Sequence, residues 1–298
     1  MNVYDSVNLN EILEANPDVT CIGAFDGVHL GHQALINMAK SISSKYQILT
    51  FDPVPKKFFN NMHKLLSTKD MKVDLLSRFS PESIIFLNFE DVKDLIPEDF
   101  CNILNNKLNT KSIVVGKDFK FGKNREGDVN FLIKYFGNSN VHVLNDYVVN
   151  DSKISSTLIK STINEGKLEL ANQYLGYSFK LKGKVEHGNR MGHKIGFPTA
   201  NINVDVNLVT PKFGVYEVDV TKADKTYKGV MNIGNRPTVS NDLKLSYEVH
   251  ILDFDEDING SFLEVEFVSF IRDEIKFDNI EAVSYTHLRA HETPEQLG

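Results

Sequence analysis

Along the first half of the chain, short apolar runs alternate with stretches of helical spacing. "VTCIGAF" (residues 19–25) reads as a buried strand, residues 32–44 as a helix, "YQILTF" (46–51) as a strand and residues 69–78 as a helix. "SIIFLNF", "SIVVG" and "NVHVLNDYVV" read as further strands. "PEDFCNILNNKL" reads as a helix opened by Pro97, and "ISSTLIKSTINEGKLELANQYLG" as a last helical stretch. Strands that are apolar throughout, with helices between them, predict a parallel sheet covered on both faces.

From Phe179 the period changes. "FKLKGKVEH", "GVYEVDVT", "YKGVMNIG", "KLSYEVHILDF" and "FLEVEFVSFI" alternate polar and apolar residues between Gly, Pro, Asn and Asp, and no helix-length pattern intervenes before residue 278. Such spacing predicts a small antiparallel barrel. The boundary falls near residue 178, and a length of 298 residues suits two domains.

Composition narrows the classes. The chain is 41% hydrophobic and 24% charged, which is ordinary for a globular protein, and no apolar run approaches the roughly 20 residues that span a bilayer. A net charge of −7 argues against a general binder of nucleic-acid backbones. Only Cys21 and Cys101 occur, each inside an apolar or helical pattern, so both read as buried small hydrophobes and not as a disulfide. The expectation is a cytoplasmic protein without nucleic-acid or membrane partners, a monomer or weak homo-oligomer.

Two stretches carry candidate chemistry. "GAFDGVHLGH" (23–32) joins a strand to a helix, and glycines at a helix N-terminus expose backbone N–H groups that suit phosphate. Gly23, Gly27 and Gly31 permit close approach, and His29 and His32 can donate to phosphate oxygens. The pattern is neither GxxxxGK[ST] nor GxGxxG. A tight turn with incidental histidines is the plain alternative. A metal site from Asp26, His29 and His32 is another, with nothing nearby to complete its shell. "GKVEHGNRMGHKIGFPTANI" (183–202) holds four glycines and five basic or imidazole side chains. Lys184, Arg190 and Lys194 can offset phosphate charge, while Thr199 and Asn201 present two oxygens to one side of an extended segment, which suits Mg²⁺ held with ATP. A basic surface hairpin explains the same composition.

These motifs carry a resemblance. "GAFDGVHLGH", "TFDPVP" (50–55), "VGKDFKFGKNREGD" (115–128) and "ISSTLIK" (154–160) resemble, in order, the motifs of the nucleotidyltransferase module in bacterial bifunctional riboflavin kinase/FAD synthetases. "GFPTAN", "FGVYEVDV", "GVMNIGNRPTV", "YEVHILDF" and "IRDEIKF" resemble those of the riboflavin kinase module, so the likeness covers nearly residues 15–280. It implies an α/β nucleotidyltransferase domain with a Rossmann-like parallel sheet (1–178) and an antiparallel β-barrel riboflavin kinase domain (179–282). Residues 283–298 read as a non-native or disordered tail that replaces the family's amphipathic C-terminal helix. His287 and His291 within it, four apart, have no acidic or cysteine partners.

The implied activities are phosphorylation of riboflavin to FMN and adenylylation of FMN to FAD, both from ATP with Mg²⁺. A flavin- or nucleotide-binding protein that has lost one or both activities is the alternative. For adenylylation the resemblance implies that Gly23, Phe25, Asp26, His29, Gly31 and His32, with Ser155, Ser156 and Thr157, hold ATP, and that Asp118, Phe119 and Arg125 border the flavin. His29 and His32 count as catalytic. For the kinase it implies ATP on Gly183, Lys184, Gly188, Arg190, Gly196, Pro198, Thr199 and Asn201, metal on Thr199 and Asn201, flavin near Arg272, and Glu248 as the base. Asn235, Arg236 and Pro237 read as a turn. The family commonly has a histidine where this chain has Val54, and arginines near Leu158 and Lys160. This departure weakens adenylyl transfer unless Lys160 and Arg125 supply the missing charge.

Overall fold

A computed structural model describes residues 1–5, 16–186, 199–237 and 243–274. They form two compact units. The first comprises 1–162, 171–177 and 207–209, and the second 163–170, 178–206 and the residues from 210 onward.

The first unit is built on a six-stranded sheet. Its strands are β1 (Asn2–Tyr4), β2 (Val19–Ile22), β3 (Tyr46–Asp52), β4 (Ser83–Asn88), β5 (Ser112–Gly116) and β8 (Val141–Leu144), in spatial order β1-β4-β3-β2-β5-β8. Every pairing is parallel. Alternate residues feed two cores. Cys21, Ile48, Ile84 and Val114 face α1 (Leu30–Ile42) and α3 (Lys69–Ser77), while Ile22, Leu49, Ile85 and Val115 face α5 (Pro97–Asn102) and α6 (Val129–Phe136). Both cysteines are buried free thiols within these cores. Sequence order moves outward from β2 through β3 to β4, then returns to β5 on the other side of β2. That reversal opens a crevice beyond the carboxyl ends of β2 and β5, where open α/β sheets bind ligands.

The local signals are legible. Thr68 caps α3, accepting from the Met71 N–H at 3.3 Å, and Asp128 caps α6, accepting from the Phe131 N–H at 3.0 Å. Five elements differ from expectation. Residues 235–237, read as a turn, continue the strand β14 (Lys225–Pro237), held there by antiparallel pairing with residues 243–245. The first strand ends at Ile22, since Phe25 takes a φ of 48°. "NVHVLNDYVV" divides into β8 and a hairpin of β9 (Val148–Val149) with β10 (Ser152–Lys153). The Pro97 helix passes at Ile103 into a π-helical turn. The last helical stretch is two helices, α7 (Ser156–Asn164) and α8 (Leu168–Leu175), because Gly166 adopts φ +80° after α7. The short strand β1 was not anticipated, nor were helices α2 (Pro55–Phe59) and α4 (Phe89–Val92) or the hairpin β6 (Lys120–Phe121) with β7 (Gly127–Asp128).

The second unit is a closed antiparallel barrel, as the alternation predicts. Its strands are β11 (Lys180–Glu186), β12 (Thr199–Val204), β13 (Gly214–Lys222), β14 (Lys225–Pro237), β15 (Leu243–Ile251) and β16 (Phe262–Arg272), ordered β11-β12-β15-β14-β13-β16. The last strand pairs with both β11 and β13, which removes the sheet edges. Ile202, Val218, Met231, Val249, Val265 and Phe267 fill the interior. Gly183 meets Val204 on one side and Leu263 on the other, and a Cβ there would lie 2.4 Å from the Asn203 carbonyl oxygen. Gly183→Ala is therefore expected to destabilise the barrel by about 1–3 kcal/mol through overpacking, read as a lowered midpoint of its transition in urea.

Candidate functional sites

The strap from Gly23 to His29 leads from β2 into α1, and its backbone is unusual. Phe25, Gly27 and Val28 all have positive φ, at 48°, 78° and 37°. Such a path persists only where neighbours over-determine it. The Ala24 carbonyl accepts from Thr50 Oγ1 at 3.1 Å and from the buried Lys72 Nζ at 3.0 Å. The Gly27 N–H donates to Ser67 Oγ at 3.1 Å, and the Gly27 carbonyl accepts from the Tyr177 hydroxyl. Asp26 Oδ1 accepts from the Leu66 N–H at 2.7 Å, and Asp26 Oδ2 lies 2.6 Å from Lys160 Nζ. Ser156 Oγ donates to the Asp26 carbonyl at 3.0 Å, tying the start of α7 to the strap.

At the helix mouth His29 is the N-cap, its Nδ1 accepting from the His32 N–H at 3.4 Å. The two imidazoles stack at 3.6 Å, with Phe25 edge-on to His32 at 5.2 Å. Burial pulls the His29 pKa down to about 4, against a smaller opposing pull from Asp26, and burial holds His32 well below the usual histidine range. Both rings are thus neutral at pH 7. Since Nδ1 of His29 is an acceptor, its proton sits on Nε2. His32 Nδ1 is buried without a hydrogen-bond partner among the described residues. A buried ring nitrogen without a partner is rare in folded proteins. No metal-binding cluster occurs among the described residues, and both Asp26 oxygens are already used, so the metal reading of Asp26, His29 and His32 finds no support.

The structure gathers Gly23, Phe25, Asp26, His29, Gly31, His32 and Ser156 into one mouth. Ser155 caps α7, accepting from the Leu158 N–H at 3.2 Å, and Thr157 Oγ1 accepts from Lys56 Nζ at 3.3 Å. Asp118 pairs with Lys153, Phe119 stacks on Phe121 at 5.5 Å, and Arg125 is exposed at φ 61°. These three belong to the segment around β6 and β7. Lys160 is buried against Asp26, which gives its charge a partner inside the protein. The sequence reading missed Lys72, Leu66, Ser67, Tyr177 and His63. Lys72 alone left a signal, as a lysine at a core position of α3 beside Met71, Leu75 and Leu76. Its pKa falls to about 8 through burial, partly offset by Asp26 and Asp52.

In the barrel, Ala200 and Ile202 point inward, so Thr199 and Asn201 lie on the outer face. Asn201 is the register partner of Glu248 on β15, and Thr199 that of His250. Asn232 on β14 flanks Glu248 from the other side. Directly opposed side chains have Cβ atoms about 5 Å apart, so two amides flank the Glu248 carboxylate, while the Thr199 hydroxyl is a diagonal neighbour at about 7–8 Å. Glu248 Oε1 accepts from Ser246 Oγ at 3.1 Å. Lys184 is exposed on β11, and Arg272, at the end of β16, donates to the Asp273 carbonyl at 3.1 Å. Gly188, Arg190, Gly196 and Pro198 lie outside the described residues, as do His287, His291 and the expected tail.

Residues 12–158 match the family model for FAD synthetase and residues 175–292 that for riboflavin kinase. The bifunctional riboflavin kinase/FMN adenylyltransferase of Listeria monocytogenes is 38% identical over 89% of this chain and 87% of its own. The chain belongs to the bifunctional riboflavin kinase/FMN adenylyltransferase family. Its Bacillus subtilis relative of the same description is 32% identical over 91% of this chain and 89% of its own. A crystal structure from Streptococcus pneumoniae, described as a macrolide-efflux protein, superposes with a TM-score of 0.87 at 29% identity, covering 97% of each chain. That description is of the other protein. Among the described residues of this family member no helix is long and apolar enough to cross a membrane.

Two outcomes follow for the first unit. Removing one partner of the buried pair in Asp26→Asn or Lys160→Met is expected to cost about 3–5 kcal/mol. The double variant should lose clearly less than the sum, as measured by chemical denaturation. His29, with a folded pKa near 4 against an ordinary 6.5, stabilises the fold above pH 6.5 and loses that contribution as pH falls from 6.5 towards 4. Unfolding free energy should decline across that window, with a shallower slope in His29→Asn.

Proposed function

We propose that the chain makes flavin cofactors in two ATP-dependent steps, riboflavin to FMN in the barrel and FMN to FAD in the α/β unit. The observation that carries this reading is the pairing of Asn201 with Glu248, which sets a carboxylate beside an amide oxygen on the outer face of the barrel, with Thr199 two positions along the same strand. In the first step the 5′-hydroxyl of riboflavin attacks the γ-phosphorus of ATP, ADP leaves, and Glu248 takes the hydroxyl proton. Thr199 and Asn201 offer neutral hard oxygens, a donor set that fits Mg²⁺. A Mg²⁺ ion held there with ATP would neutralise phosphate charge. Gly183, Lys184, Gly188, Arg190, Gly196 and Pro198 are proposed to border the nucleotide, and Arg272 the flavin.

In the second step the FMN phosphate attacks the α-phosphorus of ATP and pyrophosphate leaves. No covalent nucleophile is required, so the protein's part is to place the phosphates and balance their charge. The strap and the α1 N-terminus supply N–H groups, and neutral His29 donates from Nε2. Ser155, Ser156 and Thr157 at the start of α7 complete the ATP side, with Asp118, Phe119 and Arg125 on the flavin side. An internal location, where ATP is abundant, accords with two reduced buried thiols.

Purified protein given riboflavin, ATP and Mg²⁺ is expected to yield FMN and then FAD on chromatography. Glu248→Gln should lower FMN formation by about 10²–10⁴-fold while FAD formation from supplied FMN persists. Loss of both reactions in that variant, or of neither, defeats the assignment of the two steps to separate units, and a parent that yields neither product is a binding protein.

A further inference from the structure

The loop between α2 and α3 carries a histidine that neither step above uses. His63 Nε2 lies 3.0 Å from Lys160 Nζ, which is itself 2.6 Å from Asp26 Oδ2. An ammonium has donors only, so the ring nitrogen facing it must present a lone pair, and neutral His63 then keeps its proton on Nδ1. The charged groups facing His63 are Lys160 on α7, Asp26 on the strap, and Lys56 and Lys57 on α2. Burial lowers the His63 pKa first and Lys160 next, with Asp26 opposing them, so the lone pair persists at neutral pH. The same loop holds the strap at two further points, through the Leu66 N–H and Ser67 Oγ.

Resting on the adenylyl-transfer reading of this unit, we propose that His63 is a positioning residue. Its bare Nε2, together with the Asp26 carboxylate, aims the Lys160 ammonium at the helix mouth, where it meets the phosphates of ATP. Two acceptors fix the direction of a flexible side chain that one carboxylate would leave to swing. Of the three ammonium N–H donors, one goes to Asp26 and one to His63, and a phosphate oxygen takes the third. Protonating His63 turns Nε2 into a donor facing a cation, and the grip opens.

The test compares the parent, His63→Gln and His63→Leu. The Gln side chain keeps an acceptor near the position of Nε2; Leu has none. Initial rates of FAD formation from FMN would be followed from pH 5 to 8, with riboflavin phosphorylation in the same preparations as control, alongside ¹⁵N NMR of the histidine rings. At pH 7 His63 should show an unprotonated Nε2 and a protonated Nδ1. The Leu variant should lose about tenfold or more in kcat/KM for adenylyl transfer, the scale of a hydrogen bond to a charged group. The Gln variant should recover most of that loss and show a weaker acid limb than the parent, and phosphorylation should be equal in all three. A proton on Nε2, a Leu variant equal to the parent, a Gln variant as poor as Leu, or a matching fall in phosphorylation would each overturn the proposal. A parent that forms no FAD sinks the adenylyl-transfer reading instead, while the ring tautomer still judges the contact.

Discussion

Asp26 and Lys160 form the buried contact on which the shape of the strap depends. The strap between β2 and α1 follows a path that L-residues resist, and it holds its shape because one carboxylate is shared between a backbone N–H and a buried ammonium. Two like charges could not be taken from water this way, and one alone would be costly. The opposite pair lets the chain bury a cation beside the strap without leaving it unpaired. Lys72 acts in the same sense two residues earlier, donating to the Ala24 carbonyl. The helix mouth is therefore pre-organised by charge and hydrogen bonding, with the sheet below as its rigid support.

The barrel solves a different problem. The groups proposed to act there sit on adjacent strands, where the register of β12 against β15 sets their spacing. A slip of β12 by one residue would turn Thr199 and Asn201 inward, away from Glu248, and bring Ala200 out. Closure by β16 prevents that, because every strand is held from both sides.

Much of this was legible beforehand, for physical reasons. Continuous apolar runs announced doubly covered parallel strands, and alternation announced the barrel; both patterns follow directly from which faces are buried. The motif at residues 23–32 pointed to the helix mouth because glycine, histidine and aspartate have few other reasons to crowd a strand end. What stayed hidden depends on long-range partners. Leu66 and Ser67 reach the strap across 40 positions of sequence and His63 reaches Lys160 across 97, and no periodicity encodes that. The break at Gly166 was readable in principle, as a glycine ending a helix, but the apolar spacing on both sides masked it. Lys160 was read as spare charge for phosphate, whereas the fold gives it a protein partner first. Nor does strand and helix spacing reveal that residues 207–209 belong with the first unit.

The strand that seals the barrel is also the last described in the chain. During synthesis β11 emerges some eighty positions before β16, and until then β11 and β13 each present an unpaired edge to the surroundings. The α/β sheet has all six of its strands by residue 144 and is free of this wait. Ribosomal output thus imposes an order on the molecule, with the nucleotidyl-transfer sheet assembled early and the kinase barrel exposed to misassociation until its closing segment arrives.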